Sequence, residues 1–185
     1  IIKKVNLVIF QAKFLQKYFQ DRLNYNFNYE ILSNDIPKQF LSNKNKVINN
    51  IKKISFISPM YWECKGLDIF IGTLVELNNS NNFFEIDIVG DGPDFVRLKK
   101  NIQNLNLNHK INYIGWINNM KEYLSKTDLL LVTSKYDSNP NLLLEAIGMK
   151  CIIFASNIKA HRNILNNEML FEKNNSKDLA KKIIN

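Results

Sequence analysis

Short β-branched apolar runs alternate along the 185-residue chain with longer segments whose apolar positions recur every three or four residues. The first pattern belongs to strands and the second to helices buried along one face. Residues 5–10 read as a strand, 12–23 as a helix and 29–32 as a strand. Residues 33–53 then lose periodicity, with Ser, Asn, Asp, Lys and a Pro, and mark a linker. A regular series follows, with strands over 54–58, 84–89, 110–114, 129–133, 151–155 and 169–171. Helices over 67–77, 94–105, 120–125, 141–149, 160–165 and 176–184 separate and follow them. No fixed-period repeat runs through the series.

Ile86-Asp87-Ile88-Val89 and Leu129-Leu130-Leu131-Val132 are nearly continuous apolar strands, the pattern of a parallel sheet covered by helices on both faces. Strand–helix alternation at this spacing implies right-handed crossovers and a doubly wound α/β/α sandwich. Ligands of such sheets bind beyond the carboxyl ends of the strands. The loops to inspect are therefore 58–66, 90–93, 115–119 and 134–140.

Composition narrows the function classes. The chain is 45% hydrophobic and 11% aromatic, enough for a real core, which excludes disorder for most of its length. No apolar run nears the roughly 20 residues of a membrane-spanning helix. Cys64 and Cys151 stand far apart, outside any CxxC or Cys/His spacing, so they imply neither a disulfide scaffold nor a zinc site and read as reduced and structural. With 25 Lys and Arg against 17 Asp and Glu, the net charge is +8. Only Arg22, Arg97 and Arg162 are Arg, Asn makes up about one residue in six, and the Lys pairs are scattered. That distribution lacks the Arg-and-aromatic stretch or module of a nucleic-acid binder. An acidic membrane surface or a phosphate-bearing ligand fits the charge better. The start, Ile1-Ile2-Lys3-Lys4-Val5, has neither an initiator Met nor a signal-peptide pattern and reads as a cut inside a longer chain.

Three loops carry candidate chemistry. Gly90-Asp91-Gly92-Pro93 follows a strand and opens a helix, and its glycines permit a tight turn and the close approach of a ligand. Phe95 fills the third glycine position of a dinucleotide fingerprint, which argues against an NAD-dependent oxidoreductase. In the segment 134–146, Asn139-Pro140 predicts a helix start with Asn139 as N-cap and Pro140 in the first position. The N–H groups of Asn141, Leu142 and Leu143 would then face outward with the helix dipole behind them, an anion site suited to a diphosphate. Asp137 and Glu145 would bracket that site and accept hydrogen bonds from sugar hydroxyls. The plain alternative is a solvated Asp137 and a Glu145 that exploits the dipole. Glu145 lies in a helix apolar nearly all round, so half-burial and a need for a partner are expected. Lys65-Gly66 is expected to open the next helix, where an ammonium opposes the dipole; that misfit favours a diphosphate partner. His109 reads as exposed, His161 lies near a helix start on the ligand side, and Trp62 and Trp116 read as packed loop aromatics near the cleft.

In order, Lys65-Gly66, Val89-Gly90-Asp91-Gly92-Pro93, Ile114-Gly115-Trp116 and Ser134…Asp137…Pro140…Glu145-Ala146 resemble the donor-binding half of a GT-B glycosyltransferase of family 4, the group 1 glycosyltransferases. That family's strand-loops read K-G, V-G-x-G-P, F-x-G and S-x-x-E-x-x-P-x-x-x-x-E-A. The resemblance covers about residues 54–184 and implies a Rossmann-like sheet over 54–185. Residues 1–35 resemble the last strand–helix–strand of the preceding acceptor-side domain, with 36–53 as linker.

By this resemblance Lys65 sits at the donor diphosphate and the loop of Gly90 and Gly92 lies close to the nucleotide. Gly115, Trp116 and Ile117 offer backbone groups to the base, and Ser138, Asn139, Asn141 and Leu142 line the phosphate site. Asp137 stands for the first acid, on the donor sugar, and Glu145 for the second, on the ribose. The family retains anomeric configuration, needs no metal and uses a UDP- or GDP-linked donor with no other cofactor. A glycan or lipid-linked acceptor enters through the other domain, in surface polysaccharide or lipopolysaccharide assembly, at a cytoplasmic location with contact to the anionic inner face of the membrane. The sequence departs from the pattern at Pro59, where the family has Arg, at Asp137 for Glu, and at Lys150 and Ile152 in the turn. The first two bear on donor affinity, and they leave a non-catalytic nucleotide-sugar-binding module as the alternative.

Overall fold

The computed structural model describes residues 5–26, 28–42, 51–80, 82–107 and 109–185. Strand β1 (Val8–Phe10), helix α1 (Lys13–Leu23) and strand β2 (Tyr29–Ile31) form a first unit, in which the strands pair in parallel. Six further strands follow: β3 (Lys53–Ile57), β4 (Glu85–Val89), β5 (Lys110–Gly115), β6 (Leu129–Val132), β7 (Ile152–Ser156) and β8 (Leu170–Phe171). They form one parallel sheet in the order β5-β4-β3-β6-β7-β8. Helices α2 (Trp62–Lys65), α3 (Leu67–Asn79), α4 (Phe95–Gln103), α5 (Met120–Ser125), α6 (Asn141–Gly148), α7 (Lys159–Arg162) and α8 (Ser176–Ile184) connect and flank them.

The two-residue period of a strand divides the core. Leu129 and Leu131 of β6, with Ile54, Phe56, Ile86 and Ile88, pack beneath α3, α4 and α8. Leu130 and Val132, with Ile57 and Val89, face the other way and pack against Leu124 of α5 and Leu143 and Ala146 of α6. Phe56 and Phe70 stack with ring centroids 4.1 Å apart at the centre of the first layer. Both faces of β6 are buried, which accounts for its unbroken apolar run.

The second face also holds a buried carboxylate. Asp87 is 1% exposed and accepts from Lys53 Nζ at 2.8 Å and Asn112 Nδ2 at 2.8 Å, and from the Tyr123 hydroxyl. Burial alone would raise its pKa, but these donors hold it below the usual carboxylate range.

Several elements differ from the sequence expectation. β1 starts at Val8 rather than at residue 5, and a short helix, α2, forms inside the loop expected at 58–66. Within the expected linker, Lys38–Phe40 is a 3-10 turn whose Phe40 is buried against the end of α6; residues 43–50 lie outside the described residues. There the Ser42 N–H donates to the Gly148 carbonyl oxygen at 2.9 Å, so this stretch is anchored rather than loose.

His109, expected to be exposed, is buried beside the Phe84 ring, and His161 is fully buried; burial depresses both pKa values. The unfolded chain binds protons at these sites below about pH 6.5, and the folded chain resists. The contribution of these two histidines to stability is therefore full above that pH and is lost as pH drops through the window just beneath it. Urea unfolding should give a lower midpoint at pH 5 than at pH 7, and His161→Asn should flatten that pH dependence. An unchanged midpoint would remove both histidines from the acid response.

Candidate functional site

Counting from β3, the strand order is 3-2-1-4-5-6, and the chain reverses direction across the sheet between β3 and β6. At such a switch point the loops leave in opposite directions and open a crevice at the carboxyl ends of the strands. The loop after β3 carries Lys65 and the loop after β6 carries Asp137. They meet there: Lys65 Nζ lies 3.1 Å from Asp137 Oδ2, with side chains 22% and 15% exposed.

Backbone contacts hold this junction. Gly66 adopts φ 61°, and a Cβ on it would stand 2.2 Å from the Thr133 carbonyl oxygen. Only glycine allows both the left-handed turn and this approach. The Thr133 hydroxyl donates to the carbonyl oxygens of Lys65 and Gly66, at 2.8 and 3.0 Å, and the Lys135 N–H donates to that of Cys64 at 2.8 Å. A cleft of roughly 570 Å³ opens over the pair, lined by Pro59, Tyr61, Cys64, Lys65, Tyr136, Asp137 and Ser138. Cys64 is thus an exposed cleft residue, whereas Cys151 is buried.

Lys65 does not open a helix. It is the last residue of α2, with Gly66 as C-cap, so its ammonium sits at the favourable carbonyl end. The expected dipole misfit therefore does not arise, and the pairing with Asp137 takes its place.

The cap of α6 also departs from expectation, although the helix begins at Asn141, as the 141–149 pattern implies. Pro140, not Asn139, is the N-cap, and Asn141 is the first helical residue. The Asn139 N–H donates to Asp137 Oδ1 at 3.2 Å, an Asx-type turn that occupies the stretch where the cap was expected. The Asn141 N–H donates to the Asn139 carbonyl oxygen and the Leu143 N–H to that of Pro140, both at 2.9 Å. Of the three N–H groups expected to be open, those two are engaged by backbone, and only that of Leu142 has no backbone acceptor.

Glu145 is half-buried and has no hydrogen-bond or ionic partner among the described residues; burial raises its pKa. It lines a recess of roughly 230 Å³ with Asn34, Asp35, Pro37, Asn141 and Leu144. Asn34 Nδ2 donates to Asn141 Oδ1 at 2.5 Å, tying the chain after β2 to the start of α6. Asp137 and Glu145 therefore line separate recesses. Ser138, Asn139 and Pro140 lie between them in the wall of a third cleft of roughly 650 Å³, whose opposite wall is the first unit.

The glycine loop after β4 is packed against its own chain. A Cβ on Gly90, at φ 115°, would lie 2.1 Å from the Ser58 carbonyl oxygen, and one on Gly92 would lie 2.8 Å from Met60 N and O. The Met60 N–H donates to the Asp91 carbonyl oxygen at 2.9 Å, and the Asp94 N–H to that of Met60 at 3.1 Å. The room made by the missing side chains thus takes the 58–62 segment. Gly115 has nothing within 4 Å of where its Cβ would be, and Trp116 is 77% exposed rather than packed. Ile117 packs partly on the second core layer. Trp62 lies beneath the Arg97 guanidinium, 3.7 Å from ring centroid to Cζ.

His161 lies below the junction. Its Nδ1 lies 2.8 Å from the Ser156 carbonyl oxygen, while its buried Nε2 has no partner. Asp137 raises its pKa and Lys65 lowers it, both less than burial does. Thr133 and Tyr136 escaped the sequence reading; the polar Thr133 ending an apolar strand was the available signal.

A doubly wound sheet with a polar crevice at its switch point is a Rossmann-like α/β architecture, whose ligands bind at the carboxyl ends of the strands. Residues 37–185 match the model of the glycosyl transferases group 1, and the chain belongs to that family. It is 28% identical over 150 residues to CapH of Staphylococcus aureus, a capsular polysaccharide biosynthesis glycosyltransferase, covering 71% of this chain and 41% of CapH. A mutant of S. aureus TarM, solved with fondaparinux, alpha-GlcNAc-glycerol and UDP, superposes with TM-score 0.85 at 24% identity over 99% of this chain and 37% of TarM. Anabaena HepE, solved with UDP and glucose, superposes with TM-score 0.83 at 18% identity over 98% of this chain and 53% of HepE. The GT-B fold expected from the motifs is borne out. The chain spans about two fifths of CapH and of TarM.

An unpaired, half-buried carboxylate weakens the ionised fold. Glu145→Gln should raise the melting temperature at pH 7 by about 1–3 °C, a shift equivalent to less than about 1 kcal/mol in a chain of this size. Scanning calorimetry tests this, and a lower melting temperature would mean that Glu145 has a protein partner.

Proposed function

We propose that this chain is the donor-binding part of a retaining glycosyltransferase that uses a nucleotide-diphospho-sugar in surface polysaccharide or lipopolysaccharide assembly. The observation that carries this reading is the half-buried Glu145 carboxylate, without a protein partner, on the helix that leaves the switch point. A carboxylate kept partly from water with free acceptor oxygens suits the paired hydroxyls of a ribose. CapH's name and the UDP in the TarM and HepE structures support the same reading.

In this assignment Lys65 receives the donor diphosphate and Asp137, released from the ion pair, accepts from a sugar hydroxyl. The Leu142 N–H and the chain at Ser138, Asn139 and Asn141 border the phosphates. The loops at Gly90, Gly92 and Gly115–Trp116–Ile117 border the nucleoside. On transfer the sugar C1 loses its bond to the diphosphate oxygen and gains one to an acceptor hydroxyl oxygen, whose proton passes to the departing diphosphate. Lys65 counters the charge left on the diphosphate. No metal is assigned to the step. We assign residues 1–35 to the acceptor-side domain, 36–53 to a linker and 54–185 to the donor domain. Ile9 and Leu32, 56% and 67% exposed in the first unit, fit a larger acceptor-side partner surface. A glycan or lipid-linked acceptor would enter from that side, at the inner face of the membrane. No helix among the described residues is long and apolar enough to cross a membrane.

A second reading, a non-catalytic nucleotide-sugar-binding module, rests on Pro59, which lines the cleft where the family carries a guanidinium. Turnover by the full-length protein with a UDP- or GDP-sugar would dismiss it.

Calorimetric titration should show saturable binding of UDP or GDP below millimolar concentration, and its absence would sink the donor site. Glu145→Ala should abolish that binding; an unchanged dissociation constant in a folded variant would exclude Glu145 from the ribose. Lys65→Ala should weaken the nucleoside diphosphate at least tenfold more than the free nucleoside, and equal losses would refute its contact with the diphosphate.

A further inference from the structure

Across Asp137 from the Lys65 cleft lies another concavity, of roughly 390 Å³, with Phe14 of α1 as one wall and Tyr136 and Asp137 as the other. Lys135, Lys159, Arg162 and Lys173 also line it, four cations against the one carboxylate of Asp137. That carboxylate is already paired with Lys65, and Lys135 is paired with Asp68 at 2.6 Å. The other three cations have no carboxylate within 4.0 Å among the described residues.

These three are oriented by neutral groups instead. Lys173 Nζ lies 4.7 Å from the centre of the Tyr136 ring, and Lys159 Nζ lies 5.5 Å from that of Phe14. Arg162 Nη1 donates to Asn157 Oδ1 at 2.8 Å and to the Asn157 carbonyl oxygen at 3.3 Å. Aromatic faces and amide oxygens position a cation without cancelling its charge. Residues from α7 and from the chain after β8 thus bring three uncompensated positive charges to one recess, where they repel one another until an anion enters.

We propose that this recess is a second anion subsite, separate from the Lys65 cleft, that takes a phosphate or diphosphate ester. Three cations, one of them a guanidinium fork, match a multiply charged phosphate better than a single carboxylate. The Asp137 carboxylate between the two recesses repels a phosphate that would bridge them, which keeps the sites distinct. The occupant is assigned to the acceptor because Phe14 places the opposite wall in the first unit. That last step rests on the function proposed above; the anion subsite itself does not.

The test is calorimetric titration of the chain with inorganic pyrophosphate, alone and with saturating UDP. Pyrophosphate should still bind with UDP present. Its affinity should fall at least tenfold in Arg162→Ala/Lys173→Ala and less than twofold in Lys99→Ala/Lys100→Ala, while UDP affinity in the first variant stays within twofold of the parent. Exclusion of pyrophosphate by UDP, or equal losses in the two double variants, would overturn the subsite. If the chain binds no UDP, the donor reading fails, and the pyrophosphate comparison between Arg162→Ala/Lys173→Ala and Lys65→Ala still decides this one. Glycerol 3-phosphate and an alkyl phosphate in neutral detergent micelles separate a soluble from a lipid-borne source. The tighter competitor against pyrophosphate names the source, and failure of both to compete would overturn the assignment.

Discussion

The site depends on a main-chain contact between the turn after α2 and the end of β6. Gly66 and the Thr133 carbonyl approach so closely that a single methyl group at residue 66 would part them. With Thr133 bonded back to the Lys65 and Gly66 carbonyl oxygens, the two loops at the switch point become one rigid piece. The Lys65–Asp137 pair follows, because the backbone has already brought the two residues together. The same device recurs next door, where Gly90 and Gly92 admit Ser58 and Met60 and fix the far wall of the crevice.

Two acids show what burial does to a carboxylate with and without donors around it. Asp87 is the more deeply buried, yet Lys53, Asn112 and Tyr123 surround it and keep it ionised. Glu145 is less buried and has no such company, so its pKa moves up. A buried acid with all its donors contributes to the fold, while an ionised one without them costs stability that protonation or a bound donor offsets. The cations of the recess beside Phe14 follow the second pattern: they are positioned, but not neutralised.

Much of the fold was legible before the structure. The β6 run and the alternation around it implied a two-faced parallel sheet, and the strand-end loops singled out from the sequence do lie at its carboxyl edge. The start of α6 at Asn141 was read correctly, but its N-cap was misplaced by one residue because the Asp137 side chain captured the Asn139 N–H, a local competition that residue preferences alone do not resolve. His109 was misjudged because its burial comes from Phe84 and α3, elements distant in sequence. The short helix α2 was missed because four residues carry too little periodicity to register, and with it went the true position of Lys65 at a helix end.

By itself the sequence determined the element order, the apolar faces and the ordered set of motifs that marks the family, since all three are written in local spacing. Tertiary structure alone decided which of those residues meet. Lys65 and Asp137 are 72 positions apart, as are Ser55 and Thr127, but only the first pair lies at the carboxyl edge where the sheet order reverses. Pairing, burial and the lack of a partner are properties of three-dimensional neighbours, and strand order rather than chain order sets who those neighbours are.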